Sequence, residues 1–232
     1  MLTAPEAYVS WINQHLGFNP RSQANSNALC DFVIADLRRS SPLVASDLNA
    51  KRLATVLNAD IRTRVASRNV DLVFLEPDSS IVRVAVENKT IMTAHGKARW
   101  NRYGDLIAYC NHVHNHRSDC IAAAIVIINR SPAYENPDAF ARGLQRPRFD
   151  MNKVVKDTVK IFADIPLRAS ADEPNDQPEA LATIVVDYDG QHPAKLVTDE
   201  LSPQPGTPNH YKSFIARVCE LYRVRFQPSR PR

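Results

Sequence analysis

NVDLVFLEPDSSIVRVAVENKT, residues 69–90, is the stretch of this sequence that decides its fold. Two runs rich in β-branched and large apolar residues lie on either side of the turn formers at 77–79, a pattern that predicts two strands joined by a tight turn. Asp71 stands near the start of the first run, and Glu87 and Lys89 stand at the end of the second. A hairpin that served only the core would have no need of these three charges.

The alternation of side chains along a strand predicts where these charges lie. Glu87 and Lys89 share one face of the second strand, and the other face, which we expect to be the core face, carries Val82, Val84 and Val86. A turn of three or five residues would place Asp71 opposite Ala85 and diagonally next to Glu87, at about 7 Å. A two-residue turn would reverse the parity and send Asp71 to the wrong face.

Two carboxylates separated by this distance repel each other unless a cation lies between them, and oxygen ligands of this kind suit Mg²⁺. Lys89, one pleat further along, could bind a phosphate oxygen or orient an attacking water. Such a group of side chains could hold an ion that polarises a phosphodiester and activates a bound water. The alternative is that the three residues form an ordinary solvated strand face.

With Asp71 at a strand start, fifteen intervening residues and then Glu87–Asn88–Lys89, the hairpin resembles the PD-(D/E)XK nuclease superfamily, which includes most type II restriction endonucleases. The resemblance covers roughly residues 46–130, and it departs from the family pattern at Val70, where the family often has Pro. It implies an α/β fold with a mixed central β-sheet flanked by helices. It also implies that Asp71 and Glu87 are metal ligands and that Lys89 is the catalytic lysine.

The same resemblance implies a Mg²⁺-dependent endonuclease that cuts double-stranded DNA. The partners that it implies are a second copy of the chain and a cognate DNA methyltransferase. Family members often add an acidic residue from an earlier helix, and of Asp31, Asp36 and Asp47 we choose Asp36. The alternatives are a repair or defence nuclease, a non-catalytic nucleic-acid-binding module with the same fold, and a protein with a purely structural or interaction role.

Two basic segments are candidates for DNA contacts. The segment 93–105 places basic side chains around Trp100 and Tyr103: His95, Lys97, Arg99 and Arg102. The segment 140–148 adds Arg142, Arg146 and Arg148. Phosphate contacts of this kind fix position, whereas contacts to base edges specify sequence. The histidines at 112, 114 and 116 lack the spacing of a zinc site, and we expect them to meet the last carbonyls of a helix.

Composition places limits on the class of protein. The chain has 232 residues and a net charge of +4, and 21 of its 29 basic residues are Arg, which suits phosphate and guanine edges but is also the codon choice of a GC-rich genome. Residues 1–165 carry 21 basic and 16 acidic side chains, against 8 and 9 in 166–232, so a polyanion would bind the first part. The four scattered cysteines, the short apolar run at 121–128 and the absence of a signal-peptide pattern predict a cytoplasmic protein without a membrane span.

The apolar periodicity predicts one domain over 1–232, with an N-terminal helical part (1–60), a catalytic core (61–165) and a C-terminal strand–helix extension (180–225). Strands are predicted at 61–66, at 121–129, where the run is buried on both faces, and at 181–188, besides the hairpin. The predicted helices cover 5–16, 26–39, 46–59, 97–112, 150–163 and 210–222.

Overall fold

The computed structural model describes residues 2–16, 22–79, 81–131 and 150–227. They form an α/β fold in which helices cover both faces of a six-stranded mixed sheet, as predicted. Within these ranges no helix has the length and apolar character that a membrane span requires. The elements, in chain order, are α1 (Ala4–Gln14), α2 (Gln23–Ser40), α3 (Pro42–Asn49), β1 (Ala54–Arg62), β2 (Ser67–Leu75), β3 (Val82–Ile91), α4 (His95–His116), β4 (Ile121–Asn129), α5 (Met151–Ala163), β5 (Ala180–Asp187), β6 (Lys195–Leu196) and α6 (Tyr211–Phe226).

The strands lie in the sheet in the order in which they occur in the chain. β1, β2 and β3 are antiparallel, β3, β4 and β5 are parallel, and β6 returns antiparallel to β5. The parallel step from β3 to β4 uses α4 as its crossover, which is the usual way to join parallel neighbours. Every residue of β4 is buried, as its uninterrupted apolar run predicted.

Both faces of the sheet are buried, so the prediction that the valine face of β3 is the single core face is wrong. Val84 and Val86 pack in a first core, on the side of α1, α2, α3 and α6. Val82 and Ala85 pack in a second core, against α4 and α5. Helices on both faces bury β4 and β5 and most of β3, which is why the charged residues of β3 are unusual.

The helix predicted over 46–59 is wrong, because α3 ends at Asn49 and β1 already begins at Ala54. Lys51 has a positive φ of 56°, which breaks the helix, and pairing with β2 then fixes the following segment as a strand. This pairing is non-local and overrides the local helical pattern. Helix α2 also begins earlier than predicted, capped by Ser22, whose side chain accepts a hydrogen bond from the backbone N–H of Asn25.

A buried ionic network ties the acidic loop after α5 to the body of the fold. The Oε1 atom of Glu179 accepts hydrogen bonds from Arg168 at 3.1 Å and from Arg225 at 3.0 Å. Its Oε2 atom accepts from His114 at 2.9 Å and from the backbone N–H of Ala122 at 2.8 Å. Burial alone would raise the pKa of Glu179, but the hydrogen bond and charge of His114, together with Arg225, hold it below the ordinary value.

We expect Glu179→Ala to lower the free energy of unfolding by about 3 to 5 kcal/mol, because it leaves buried cations without their counter-charge. Urea denaturation measures this change. Glu220→Ala is the matched control, since it removes an exposed acid paired with Arg223 on α6 and should shift the denaturation midpoint little. Equal midpoints for the two variants would contradict the structural role of the network.

Candidate active site

The pairing of β2 with β3 ends at Leu72 and Val86, and beyond this pair the two strands part. We call the opening between Asp71 on β2 and Glu87–Lys89 on β3 the fork. The ladder pairs Val73 with Ala85, so the prediction that Asp71 lies opposite Ala85 is wrong.

The register differs for two reasons that add up. The backbone N–H of Glu76 donates to the C=O of Ile81 at 2.9 Å. Four residues therefore lie between these two, and not three or five. The ladder then shifts once more between Phe74 and Leu75, where Arg83 is the extra residue on β3. The even turn and the bulge together move the pairing by two residues, so the parity of the faces is kept up to Leu72.

The alternation of β2 breaks at Asp71. Val70 and Val73 both pack in the second core, whereas Leu72 packs in the first. In the ladder of β1 with β2, the position opposite Asp71 is Asn58, which has a positive φ of 53°. Asp71 therefore does not follow the strict alternation from which its position was predicted. It lies at the point where the side chains of β2 switch the face of the sheet to which they project.

The Asp71 carboxylate lies in the fork, between β3 and α2. Its Oδ2 atom accepts a hydrogen bond from the backbone N–H of Asn88 at 2.8 Å, and its Oδ1 atom accepts one from the Ser26 hydroxyl at 2.8 Å. The Asn88 side chain donates to the same hydroxyl at 3.3 Å and to the Cys30 sulfur at 3.1 Å. The α2 side of the fork is thus held by Ser26, a contact that no sequence motif indicated.

Glu87 reaches the fork from the side of α4 and is only 4% exposed. Its Oε1 atom accepts from Lys89 Nζ at 2.5 Å and lies 3.5 Å from the guanidinium of Arg68. Burial raises the pKa of Glu87, Lys89 opposes this rise, and the negative charge of Asp71 adds to it. The two carboxylates therefore influence each other although they approach the fork from different sides.

The fork has polar atoms that the protein leaves unsatisfied. Among the described residues, six buried side-chain polar atoms lack a hydrogen-bond partner, and three of these belong to neighbours in this site: Glu87 Oε2, Asn88 Oδ1 and Arg68 Nε. Such atoms are rare in native structures, where an ordered water, an ion or a ligand can supply the missing partner. Arg68, whose guanidinium also lies 5.8 Å from the Tyr109 ring centroid, was not predicted from sequence.

A cavity of about 250 Å³ opens beside the fork, and its walls include Asp71, Asn88, Lys89 and Arg102. In the described part of the chain no three His, Cys, Asp or Glu side chains are grouped to hold a metal ion. The fork offers two carboxylates, and Mg²⁺ is commonly bound through one or two carboxylates with waters and substrate phosphates. Glu87 Oε2 has no partner among the described residues and Glu87 feels the charge of Asp71, so this oxygen is a candidate ligand for such an ion.

The remaining residues that were predicted to contact DNA lie in different environments. His95 is fully buried and its ring bonds to the carbonyl of Asn129 at 2.6 Å, so its prediction as a DNA contact is wrong. Lys97 is exposed on α4, with Arg99 nearby, and Arg102 lines the cavity. Arg142, Arg146 and Arg148 lie outside the described residues.

Asp36 is not brought to the fork. Its Oδ2 atom accepts from the backbone N–H of Ala4 at 2.8 Å and from the Tyr211 hydroxyl at 2.9 Å, which ties α1 and α6 to α2. Ser26 and Asp36 are ten residues apart on one helix, which corresponds to about 15 Å. Asp36 therefore has a structural partner set in the first core.

The prediction that the histidines near the end of α4 meet the last carbonyls of their own helix is wrong, because they bond to carbonyl oxygens of other segments. His112 and His116 bond to the carbonyl oxygens of Ile61 and Arg62 on β1, each at 2.8 Å. They fasten the end of the β1–β2 hairpin to α4.

No protein-family model matches the chain, and no curated protein matches it either. The side chains of the fork are therefore the basis for a functional proposal.

We expect Mg²⁺ or Ca²⁺ to raise the thermal unfolding midpoint of the protein, because the ion satisfies Glu87 Oε2 and binds only the folded state. At 100 times the dissociation constant, such binding stabilises by about 2.7 kcal/mol. Glu87→Gln should remove the effect. Glu76→Gln should keep it, since Glu76 pairs with Arg83 outside the fork.

The stabilisation by Mg²⁺ should decline as the pH falls. The raised pKa of Glu87 means that protons compete with the ion from a higher pH than at an ordinary glutamate. Stabilisation by Mg²⁺ that is the same in the wild type and in Glu87→Gln would rule out this site.

Proposed function

We propose that the protein is a metal-dependent DNA endonuclease that hydrolyses phosphodiester bonds with Mg²⁺ as its cofactor. The observation that carries the proposal is the buried, unpartnered Glu87 Oε2 in a fork that also holds Asp71 and Lys89. A buried carboxylate oxygen without a partner is costly, and a cation offsets this cost.

Each residue of the fork has a role that follows from its contacts. Asp71 and Glu87 would hold the ion, which acts as a Lewis acid and activates a bound water. Lys89 lines the cavity and bonds to Glu87, so it can bind a phosphate oxygen or orient the water there. Arg68 holds Glu87 in place from the α4 side, and Arg102, which also lines the cavity, can bind a second phosphate oxygen.

Double-stranded DNA is the proposed substrate, and a type II restriction enzyme the proposed kind of nuclease. The excess of basic side chains in residues 1–165 supports a polyanionic substrate. A homodimer would suit the cutting of both strands of a palindrome, and a cognate methyltransferase would protect the host DNA. A cytoplasmic location is part of the same proposal, and it is supported by the four free cysteines.

We expect Asp71→Ala, Glu87→Ala and Lys89→Ala each to lower the rate of DNA cleavage by at least about 1,000-fold, since each removes a group that acts on the reacting phosphate. Conversion of supercoiled plasmid in Mg²⁺ measures the rate, and gel mobility shift in Ca²⁺ should show DNA binding largely retained. Asp60→Ala, which removes an exposed acid of β1, is the control and should cleave like the wild type.

The products distinguish the kinds of nuclease. Discrete bands from phage DNA support a restriction enzyme, whereas a smear supports a repair or defence nuclease. Salt-sensitive DNA binding without cleavage in any divalent metal would support the non-catalytic module instead. Full cleavage by a purified Glu87→Ala variant would refute the assignment of Glu87.

A further inference from the structure

Trp100 stands out on the surface of α4. Its side chain is 55% exposed, and it is the one aromatic residue among the large exposed apolar side chains of the described residues. Single exposed aliphatic residues are common on protein surfaces and need no explanation. An exposed indole is different, because it offers a large flat surface for stacking.

The neighbours of Trp100 give its ring a cationic setting. The guanidinium of Arg99 lies 5.8 Å from the ring centroid of Trp100, and the Tyr103 ring meets it in a T-shaped arrangement with centroids 6.2 Å apart. The Nε atom of Arg99 is buried and has no hydrogen-bond partner in the described part of the chain. An aromatic ring with a cation beside it is a common combination for binding nucleotide bases.

The helix is sterically clear on both sides of Trp100. Gly96 and Gly104 are one turn before and one turn after it, so the three residues lie on one exposed face. A Cβ atom added at either glycine would meet nothing within 4 Å, so close packing inside the protein does not explain these glycines. Glycine weakens a helix interior, whereas it lets a ligand approach the backbone.

The start of α4 also connects this surface with the fork. Its first turn contains no acidic residue, and Lys97 lies one turn before Trp100. Arg102, two residues after Trp100, projects from the other side of the helix and lines the cavity that contains Asp71 and Lys89. A strand with a phosphate at Arg102 would therefore cross the basic start of α4, past Lys97, to bring a base to the indole.

We propose that Trp100 stacks on an unpaired base of the DNA strand whose backbone lies in the cavity. The inference rests on the proposed nuclease function and, within it, favours the repair or defence nuclease over the restriction enzyme, because it assigns as substrate DNA with an unpaired or displaced base near the cleaved phosphate. A fully paired base has both faces covered by its neighbours, so it cannot stack on a surface side chain without leaving the duplex.

A second copy of the chain is the main competing occupant of this face. The cationic setting of Trp100 favours DNA, because two copies meeting through this face would bring Lys97 and Arg99 of each close to like charges. A nucleic acid neutralises these charges as it binds. We therefore assign the surface to the strand and not to a dimer contact.

Tryptophan fluorescence tests the proposal directly, because the chain has only two tryptophans, Trp11 and Trp100. Trp11→Phe leaves Trp100 as the sole emitter, and Trp100→Phe is the matched control with Trp11 alone. Each variant is titrated in Ca²⁺ with three oligonucleotides of the same sequence: single-stranded, duplex with a single-base bulge, and fully paired. Anisotropy of a labelled oligonucleotide reports binding in parallel.

Single-stranded and bulged DNA should quench the emission of the Trp11→Phe variant, and fully paired DNA should quench it much less. The Trp100→Phe variant should show no quenching although it binds. Trp100→Ala should weaken binding of the bulged oligonucleotide by about 5- to 150-fold, as expected for the loss of one stacked base. Its circular dichroism spectrum should match that of the wild type, since the side chain is exposed.

Binding that leaves the Trp100 emission unchanged, equal quenching by paired and unpaired DNA, or no binding of any oligonucleotide would overturn the proposal. Emission that changes with protein concentration alone would assign the surface to a second copy of the chain. Cleavage without quenching would refute only the stacking, and quenching without cleavage would refute only the nuclease.

Discussion

The hydrogen bond from the backbone N–H of Asn88 to the Asp71 carboxylate is the contact on which the site depends. It joins Asp71, one residue beyond the last pair of the β2–β3 ladder, to Asn88, two residues beyond that pair on β3. A buried backbone N–H needs an acceptor, and here a side chain takes the place of a neighbouring strand. The same bond fixes a carboxylate within the fork, so the way in which the ladder ends also positions a chemical group.

On the β3 side of the fork, the hydrogen bonding of the Glu87 carboxylate is incomplete. Glu87 is buried with one oxygen on Lys89 and near Arg68 and the other oxygen without a partner in the described residues. Burial raises its pKa, and the nearby Asp71 raises it further. A protein that needed this side chain only for stability would be served better by a neutral residue of similar size. Such a carboxylate is suited to a cation, and its partner Lys89 lines the neighbouring cavity, where a phosphate could bind.

The sequence allowed the main features to be predicted where the signal was local. The burial of β4 follows from its uninterrupted apolar run, and the mixed sheet follows from the hairpin and the helix after it. The separation of Glu87 and Lys89 by one pleat on β3 follows from their spacing, whereas Asp71 reaches the fork through a break in the alternation of β2. The position of β1 could not be predicted, because its strand state comes from pairing with β2 and not from its own residues. The four-residue turn and the bulge at Arg83 shift the register of β2 and β3, and the alternation of the β1–β2 hairpin breaks at the left-handed Asn58. No sequence motif records either feature of the backbone. Ser26 reaches the fork from α2, far away in the chain, and Arg68 reaches Glu87 across the hairpin from the start of β2, so tertiary contacts and not a local motif bring them there.

The location of a bound divalent ion is the measurement that tests the account most directly. Mn²⁺ can replace Mg²⁺ and gives an anomalous diffraction signal in crystals of the protein. We predict a single strong peak in the fork, within about 2.5 Å of Glu87 Oε2 and of one oxygen of Asp71. A map from crystals soaked in millimolar Mn²⁺ that shows the ion elsewhere, with the fork holding only water, would contradict the account.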